Sequence, residues 1–478
     1  MYVAIHGATL RHVPNPGPAI LGRAFRTAAS NAREARFFTP HPDPLPIKSM
    51  GRGSSYSQLA YSEGCLNPCF SVSSAPLSST WKNLVELTLS QRVGRIKPSP
   101  TLAVTAKAGE LKAQGKDVLS LGAGEPDFDT PQHIKDAAIK AIESGFTKYT
   151  PVGGTPALKK AIIEKMKRDN ALDYKPNQVV VSVGGKQACY NLCQALLNPG
   201  DEVIVPAPYW VSYPDMVLLA DGTPVFIETT AATRFKITAA QLEAAITPRT
   251  RMIWLNSPSN PSGMAYTKAE LLALGEVLRK HPNIVIASDD MYEKILWAAE
   301  PFSNIVNVCP DLYDRTVIIH AVSKTYSMTG WRIGWACGPA KLITAMNDIQ
   351  SQSTSNPTSI AQVAAEAALS GDQTCVTTMV AAFKARHDAL VIDLNSVPGI
   401  KCLPGDGTFY VFPNVEGLMA KLGCKTDLEL SDLLLEKHLL AVVPGSAFGT
   451  PGHVRLSFAT SDKVLKGSVE RLRQAAQG

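Results

Sequence analysis

The chain has 478 residues, of which 45% are hydrophobic and 18% charged, and a net charge of +6. This length predicts two or three domains of a soluble globular protein. No stretch approaches the roughly 18 apolar residues of a membrane span, and nine cysteines without a CxxC pair argue against a disulfide framework or a metal site.

The positive charge is concentrated at the N-terminus, where the first 80 residues hold seven basic and three acidic side chains. It is therefore poor support for nucleic-acid binding. Nine serines lie between Ser54 and Ser79, a composition typical of an organelle transit peptide. We assign residues 1–85 to a transit or disordered segment and expect a plastid (chloroplast stroma) location. A mitochondrial location and a tail without targeting value are the alternatives.

Helical and strand patterns alternate after residue 97, which predicts an α/β fold. The predicted helices are 102–115, 133–143, 156–170 and 186–197, and the predicted strands are 118–121, 178–183, 201–206, 251–255, 284–287 and 316–320. Because helices separate several of these strands, we expect a mostly parallel sheet covered on both faces.

The pattern changes after about residue 386. Strands within 399–413, 441–444 and 453–457 and a helix at 431–438 predict a smaller α+β domain, completed by the chain before Pro126. The predicted organisation is an N-terminal segment that joins the small domain (86–130), a large domain (131–390) and a C-terminal small domain (391–478).

The run from Ser323 to Gly334 carries the strongest functional signal. It follows a short β-branched strand and places Lys324 on a turn, with a serine before it and Arg332 eight residues after it. Burial eases deprotonation of a lysine, and a neutral amine can attack a carbonyl. Serine and arginine can bind phosphate. The run therefore predicts an attachment point for pyridoxal phosphate, although a surface lysine after a strand would look the same locally.

Two further patterns follow predicted strands. Gly184-Gly185-Lys186-Gln187 places free backbone N–H groups at the start of a helix, which suits a phosphate, but such glycine pairs also occur for packing reasons. Trp210 could stack on a planar heterocycle, whereas a core tryptophan is the plainer interpretation.

Three polar residues complete the pattern. Asn260 could donate to a phenolate oxygen or belong to an ordinary Asn-Pro turn. Asp289 ends a strand and could keep a pyridine nitrogen protonated. Arg455 suits a bidentate clamp on an α-carboxylate. We expect all these residues just beyond the carboxyl ends of strands, where open α/β sheets bind ligands.

From Leu87 to its end, the chain with these motifs resembles the class I pyridoxal-phosphate aminotransferases, which have fold type I. It is similar to the bacterial-type aspartate aminotransferases and, among them, to plant plastid enzymes that act on aspartate and prephenate. The resemblance implies the cofactor pyridoxal 5'-phosphate and amino transfer between aspartate or glutamate and dicarboxylic oxo acids, including prephenate to arogenate. An aspartate aminotransferase without prephenate activity is an alternative, as is a lyase or synthase of the same fold.

The resemblance also implies individual roles. Lys324 would bond the cofactor and move the substrate α-proton, and Asp289 would pair with the ring nitrogen. The remaining implied contacts are Tyr292 and Asn260 to the ring oxygen, Trp210 to the ring face, Gly124 and Arg455 to the α-carboxylate, and Gly185, Gln187, Ser323 and Arg332 to the phosphate. Lys186 would also contact the cofactor, and Trp210 and Asn260 would also contact the substrate. Tyr149 would reach the phosphate of the other subunit, which implies a homodimer with shared active sites.

Dicarboxylic substrates need a cation for their second carboxylate. Lys186 could supply it and Thr101 could add a hydroxyl, and the resemblance to the plastid enzymes includes this pair. The plainer alternative makes Lys186 a first-turn helix residue and Thr101 a helix N-cap.

Overall fold

The strands are short runs of mostly β-branched and aliphatic residues. The computed structural model describes residues 87–477, so the predicted transit segment, residues 1–85, lies outside the described residues. In chain order the strands are β1 (Leu119–Ser120), β2 (Val179–Ser182), β3 (Glu202–Pro206), β4 (Thr223–Ile227), β5 (Thr250–Asn256), β6 (Val285–Asp289), β7 (Thr316–Ala321), β8 (Gly334–Cys337), β9 (Tyr410–Val411), β10 (Leu440–Ala441), β11 (Val443–Pro444) and β12 (Val454–Ser457).

Seven strands form one sheet in the order β2-β8-β7-β6-β5-β3-β4. Strands β3 to β7 run parallel, and β8 runs antiparallel to its neighbours β2 and β7. Every residue of β2 and β7 is buried, as expected for strands covered on both faces. The prediction of a mostly parallel sheet in an α/β fold is confirmed, but β4 and β8 lie outside the predicted strands.

Helices surround this sheet. Within the described residues the α-helices are α1 (Pro100–Ala113), α2 (Gln132–Glu143), α3 (Pro156–Asn170), α4 (Gly185–Leu196), α5 (Ser212–Leu219), α6 (Ala239–Ala245), α7 (Lys268–Arg279), α8 (Ile305–Val308), α9 (Val322–Thr325), α10 (Ala340–Ser351), α11 (Ser359–Ser370), α12 (Thr374–Asn395), α13 (Glu416–Leu422), α14 (Asp427–His438) and α15 (Asp462–Gln477). None of them is both long and apolar enough to cross a membrane.

Two hydrophobic clusters lie on opposite faces of the sheet. Successive side chains of a strand point to opposite faces, so Ile318 of β7 belongs to one cluster while Val317 and Ile319 belong to the other. Both faces of the sheet are therefore covered by hydrophobic side chains. Groups at its carboxyl edge are attached to strands that lie between these two packed layers.

Smaller sheets bring the start and end of the described chain together. β1 pairs in parallel with β10, and β11, β12 and β9 form an antiparallel sheet. Residues 87–477 belong to one compact unit, so the boundaries at residues 130 and 390 stay a prediction. Helix α12 joins two cores, because Val376 packs in the cluster of the large sheet and Phe383 in that of the small sheets.

Two local expectations are corrected. Lys324 was expected on a turn but lies in the one-turn helix α9, directly after β7. The strands expected within 399–413 reduce to β9 and isolated bridges such as Lys401 with Asn414, because loop 403–409 bonds to loops of the large sheet at Gly263 and Ile295.

Candidate active site

A cavity of about 260 Å³ lies beyond the carboxyl ends of the central strands. Twelve of the fourteen predicted site residues line it: Thr101, Gly124, Gly185, Lys186, Trp210, Asn260, Asp289, Tyr292, Ser323, Lys324, Arg332 and Arg455. Eight residues that were not predicted also line it: Ser99, Leu102, Cys189, Val211, Tyr213, Asn256, Met291 and Tyr410.

Lys324 projects into this cavity from α9. Its Nζ donates a hydrogen bond to the carbonyl oxygen of Gly124, which lies 200 residues earlier in the chain. The pKa of Lys324 is lowered to about 8, mainly by burial; the charge of Glu125 opposes this shift, and the nearby Arg455 and Arg332 add to it. A substantial fraction of this amine is therefore neutral, and hence nucleophilic, close to physiological pH.

Asp289, the last residue of β6, is 5% exposed. The Tyr213 hydroxyl donates to its Oδ2 at 2.5 Å and the Met291 N–H to its Oδ1 at 3.2 Å. Burial raises the pKa of this carboxyl to about 6, and both donors limit the rise. A cationic ring nitrogen beside it would favour the charged carboxylate.

Arg455 is a buried cation whose hydrogen-bond partners among the described residues are neutral. Its Nη1 donates to Asn260 Oδ1 at 3.1 Å and its Nη2 to the Gly122 carbonyl at 2.9 Å, while Nε has no partner among the described residues. Its guanidinium lies 4.4 Å from the centre of the Tyr410 ring. A 2% exposed charge with an unsatisfied donor is built to receive an anion. Arg455 lies within β12, so the expectation that it follows a strand end is wrong.

A second anion site lies between β2 and α4. Gly184 has φ +82°, and a Cβ there would lie 2.3 Å from Nη2 of Arg332. A Cβ on Gly185 would lie 2.5 Å from Cε of Met291. Gly184 thus lets the guanidinium approach the amino end of α4, where free N–H groups favour negative charge, and Gly185 makes room for Met291. Ser323 also lines the cavity.

Tyr292 and Asn260 line the cavity, and their contacts with the ring oxygen stay a prediction. The Tyr292 hydroxyl lies 3.3 Å from that of Tyr410. Because Asn260 Oδ1 accepts from Arg455, the amide keeps its Nδ2 as a donor.

Thr101 and Lys186 line the cavity from α1 and α4. The Thr101 hydroxyl is buried and has no partner among the described residues. Ser99 occupies the N-cap position of α1, so the alternative that Thr101 is the N-cap is wrong. Nζ of Lys186 lies 5.0 Å from the centre of the Trp210 ring, and burial followed by the charge of Arg332 lowers its pKa.

Known proteins are similar to this chain in sequence and in fold. The family described as Aminotransferase class I and II matches residues 116–472. The aspartate/prephenate aminotransferase of Nitrosomonas europaea is 60% identical over 80% of this chain and 98% of its own length. The aspartate aminotransferase of Geobacillus stearothermophilus is 54% identical over 81% and 98%. The crystal structure of the aspartate aminotransferase from Rhizobium meliloti superposes with a TM-score of 0.79 at 47% identity, over 82% of this chain and 99% of that one.

The chain belongs to the class I and II aminotransferases. Its cofactor is pyridoxal phosphate, and the cavity fits that group in three places. The glycine cradle with Arg332 would hold the phosphate, Asp289 would face the ring nitrogen, and Lys324 would reach the aldehyde carbon. Trp210, which also lines the cavity, offers a ring face for stacking.

Gln187 and Tyr149 lie outside the cavity. The Gln187 side chain accepts from the Val183 N–H at 2.6 Å and donates to Thr354 at 2.6 Å, while its own N–H bonds the Gly184 carbonyl. The bond to Thr354 uses one of the two N–H groups of Nε2, so the contact of Gln187 with the phosphate stays a prediction; in the structure its side chain braces the turn before α4. Tyr149 is 93% exposed and forms no part of the site in its own chain.

Tyr213 is the main aminotransferase site residue that the sequence did not reveal. It stacks on Trp254, with ring centres 4.4 Å apart, and meets Trp210 edge-on at 5.3 Å. Trp210 and Tyr213 are three residues apart across the start of α5, and this spacing was the only signal available.

Replacing Tyr213 with phenylalanine is expected to raise the pKa of Asp289 above about 6, because the hydroxyl donor stabilises the carboxylate. Losing this hydrogen bond destabilises the carboxylate by about 1–2 kcal/mol, which raises the pKa by roughly one unit. Asp289 will then be protonated at a higher pH, so cofactor affinity should begin to fall at a higher pH than in the wild type. Cofactor binding measured across pH tests this shift, with Tyr190→Phe on α4 as the control. Identical pH curves for Tyr213→Phe and the wild type would contradict it.

Proposed function

We propose that this aminotransferase moves an amino group between aspartate or glutamate and dicarboxylic oxo acids, and that prephenate is among its acceptors. The observation that carries this proposal is a cavity with cationic groups for two separate carboxylates. Arg455 lines it from β12, and Lys186 with the unpartnered Thr101 hydroxyl lines it from α4 and α1.

Three side chains of the site have separate roles in the reaction. When bound, the cofactor draws electrons from the substrate α-carbon. Arg455 binds and orients the α-carboxylate, and Asp289 holds the proton of the ring nitrogen. Lys324, neutral in part near its pKa of about 8, takes the proton from the α-carbon and would deliver it to C4′ of the cofactor within the same half-reaction; the opposite half-reaction runs this transfer in reverse.

Three considerations support prephenate as an acceptor. Aspartate, glutamate and prephenate all carry two carboxylates, so one pair of anion sites can serve all three if the cavity accommodates the prephenate ring. The relatives from Nitrosomonas europaea and Cereibacter sphaeroides, 60% and 55% identical, are named aspartate/prephenate aminotransferases. The resemblance to plant plastid enzymes of this specificity points the same way.

Replacing Lys186 with alanine is expected to lower kcat/KM for aspartate and prephenate far more than for a neutral amino acid. A charge-assisted hydrogen bond contributes about 1.5–3 kcal/mol, or roughly 10- to 100-fold. Steady-state assays with aspartate and phenylalanine as donors test this, and Thr101→Val should show a smaller effect in the same direction. Equal losses for both donors would remove Lys186 from substrate recognition.

We also propose a homodimer with shared active sites. Tyr149 is 93% exposed, and the apolar residues Ile139, Ile142 and Phe146 next to it are 40–52% exposed. Such a patch fits an interface with a second copy.

Subunit mixing tests the shared site. A Lys324→Ala subunit and a Tyr149→Ala subunit, each impaired alone, should together form dimers with one intact site and regain activity. Mixing two batches of Lys324→Ala is the control. If the mixture is no more active than its parts, the sites are not shared.

The plastid location is a further proposal, supported by the serine-rich, acid-poor composition of residues 1–85. A fluorescent protein fused to this segment should enter chloroplasts. Entry into mitochondria would favour the alternative location, and a cytosolic signal would exclude a transit function.

A further inference from the structure

The turn after β6 has functional side chains on one side and buried acids on the other. Asp289 and Tyr292 line the cavity, whereas Asp290 and Glu293 do not and are 1% and 4% exposed. The Glu293 N–H bonds the Asp290 carbonyl at 3.0 Å, which closes the turn. Each cofactor-facing residue is therefore followed directly by an acid that is anchored in the interior.

Glu293 is anchored by a fully buried ion pair. Nζ of Lys165 lies 2.5 Å from Glu293 Oε1, and both side chains are 2% exposed. Asn170 joins the pair, since it accepts from Lys165 and donates to Glu293, both at 2.7 Å. Although burial raises the pKa of Glu293, Lys165 and then His320 hold it well below its usual value.

Asp290 supplies a second anchor on the same side. Its Oδ1 accepts from Ser288 at 2.6 Å and its Oδ2 from Asn304 at 3.0 Å. These partners lie on β6 itself and at the start of α8, whereas Lys165 and Asn170 lie on α3. The turn is thus tied to two separate helices as well as to its own strand.

A buried ion pair is a poor device for stability, because desolvation of the two charges offsets most of their attraction. It is a good device for fixing geometry, since both partners must stay in one arrangement to remain satisfied. This pair lies behind a turn that presents two cofactor-facing side chains. At such a site a displacement of about 1 Å can lower the reaction rate by about 10²-fold.

We propose that Lys165 and Glu293 are positioning residues that hold the turn from Asp289 to Tyr292 in register with the cofactor. Neither touches the cavity, so they act through the backbone of residues 290–293.

The double variant Lys165→Met/Glu293→Gln tests this role, because it removes both charges and keeps a hydrogen bond available between Asn170 and residue 293. We expect a Tm within about 3 °C of the wild type. The holoenzyme should nevertheless release its cofactor about tenfold faster, measured by absorbance after dilution. Amide hydrogen exchange should accelerate in residues 290–293 and not along β3, whereas β7 contacts the turn directly through Ile319 and His320.

The matched control is Glu202→Gln/Arg249→Met, which removes a pair with a buried glutamate at the amino end of β3, far from the cavity. It should leave cofactor release unchanged. The single variant Glu293→Gln strands the Lys165 charge and should lose both stability and cofactor; if it fails to fold, the double variant decides. Cofactor release at the wild-type rate by the double variant overturns the proposal, as does equally fast release by the control or exchange that accelerates equally in β3.

Discussion

Replacing Lys324 with alanine is expected to lower kcat for aspartate by about 10⁴-fold or more, the largest effect of any single change. The amine supplies both the covalent anchor of the cofactor and the group that moves the α-proton, and general acid–base catalysis alone contributes about 10²–10⁴-fold. Single-turnover absorbance changes of the loaded enzyme measure the loss directly. Lys324→Arg should be nearly as inactive, since a guanidinium stays protonated.

The control for this experiment is Lys268→Ala, a change at the exposed first residue of α7 that should leave kcat unaltered. Reduction of the wild-type holoenzyme with borohydride should fix the cofactor on the peptide that contains Lys324. A Lys324→Ala enzyme with kcat near that of the wild type, or a cofactor fixed at another lysine, would contradict the assignment.

Replacing Arg455 with lysine is expected to lower kcat/KM for every amino-acid donor by about 10²-fold or more. A lysine keeps the charge but cannot bond the substrate carboxylate through two parallel N–H groups, and breaking a buried charge pair costs about 2–5 kcal/mol. The loss should be similar for aspartate and phenylalanine, because both carry an α-carboxylate.

This equal loss separates Arg455 from Lys186, whose replacement should discriminate between the two donors. Arg386→Lys is the matched control, since Arg386 pairs with Asp127 and does not line the cavity. Retention of wild-type kcat/KM by Arg455→Lys would remove the arginine from carboxylate binding.

The sequence was sufficient to predict the residues that follow or end buried strands. Asp289, Asn260 and Lys324 each come at or shortly after a short apolar run, and the carboxyl ends of parallel strands meet at one edge. Local pattern and fold geometry therefore agree at these positions, and the cavity contains all three.

Contacts that depend on side-chain direction or on distant chain segments were not predictable. Gln187 belongs to the cradle motif, but its sequence position does not reveal that its side-chain amide hydrogen-bonds Val183 and Thr354. Lys165 and Glu293 are 128 positions apart, and no local pattern marks them as partners. Such pairs are set by how α3 packs against the turn.

The two missed strands have local causes. β4 is an edge strand that contains Pro224, and proline lowers strand propensity. β8 has only four residues and begins at Gly334, whose missing side chain admits the backbone of Gly185 at the cradle. Strand propensity is therefore low at the start of β8, because a glycine is needed there for the close approach to Gly185.

The central claim, a site built for two carboxylates, is tested most directly by a matrix of donors and acceptors. Aspartate and glutamate are each paired with prephenate, phenylpyruvate, oxaloacetate and 2-oxoglutarate, for the wild type and for Lys186→Ala. We predict efficient turnover of prephenate and the two dicarboxylic oxo acids, slow turnover of phenylpyruvate, and loss of this preference in Lys186→Ala. Equal rates with prephenate and phenylpyruvate in the wild type would contradict the claim.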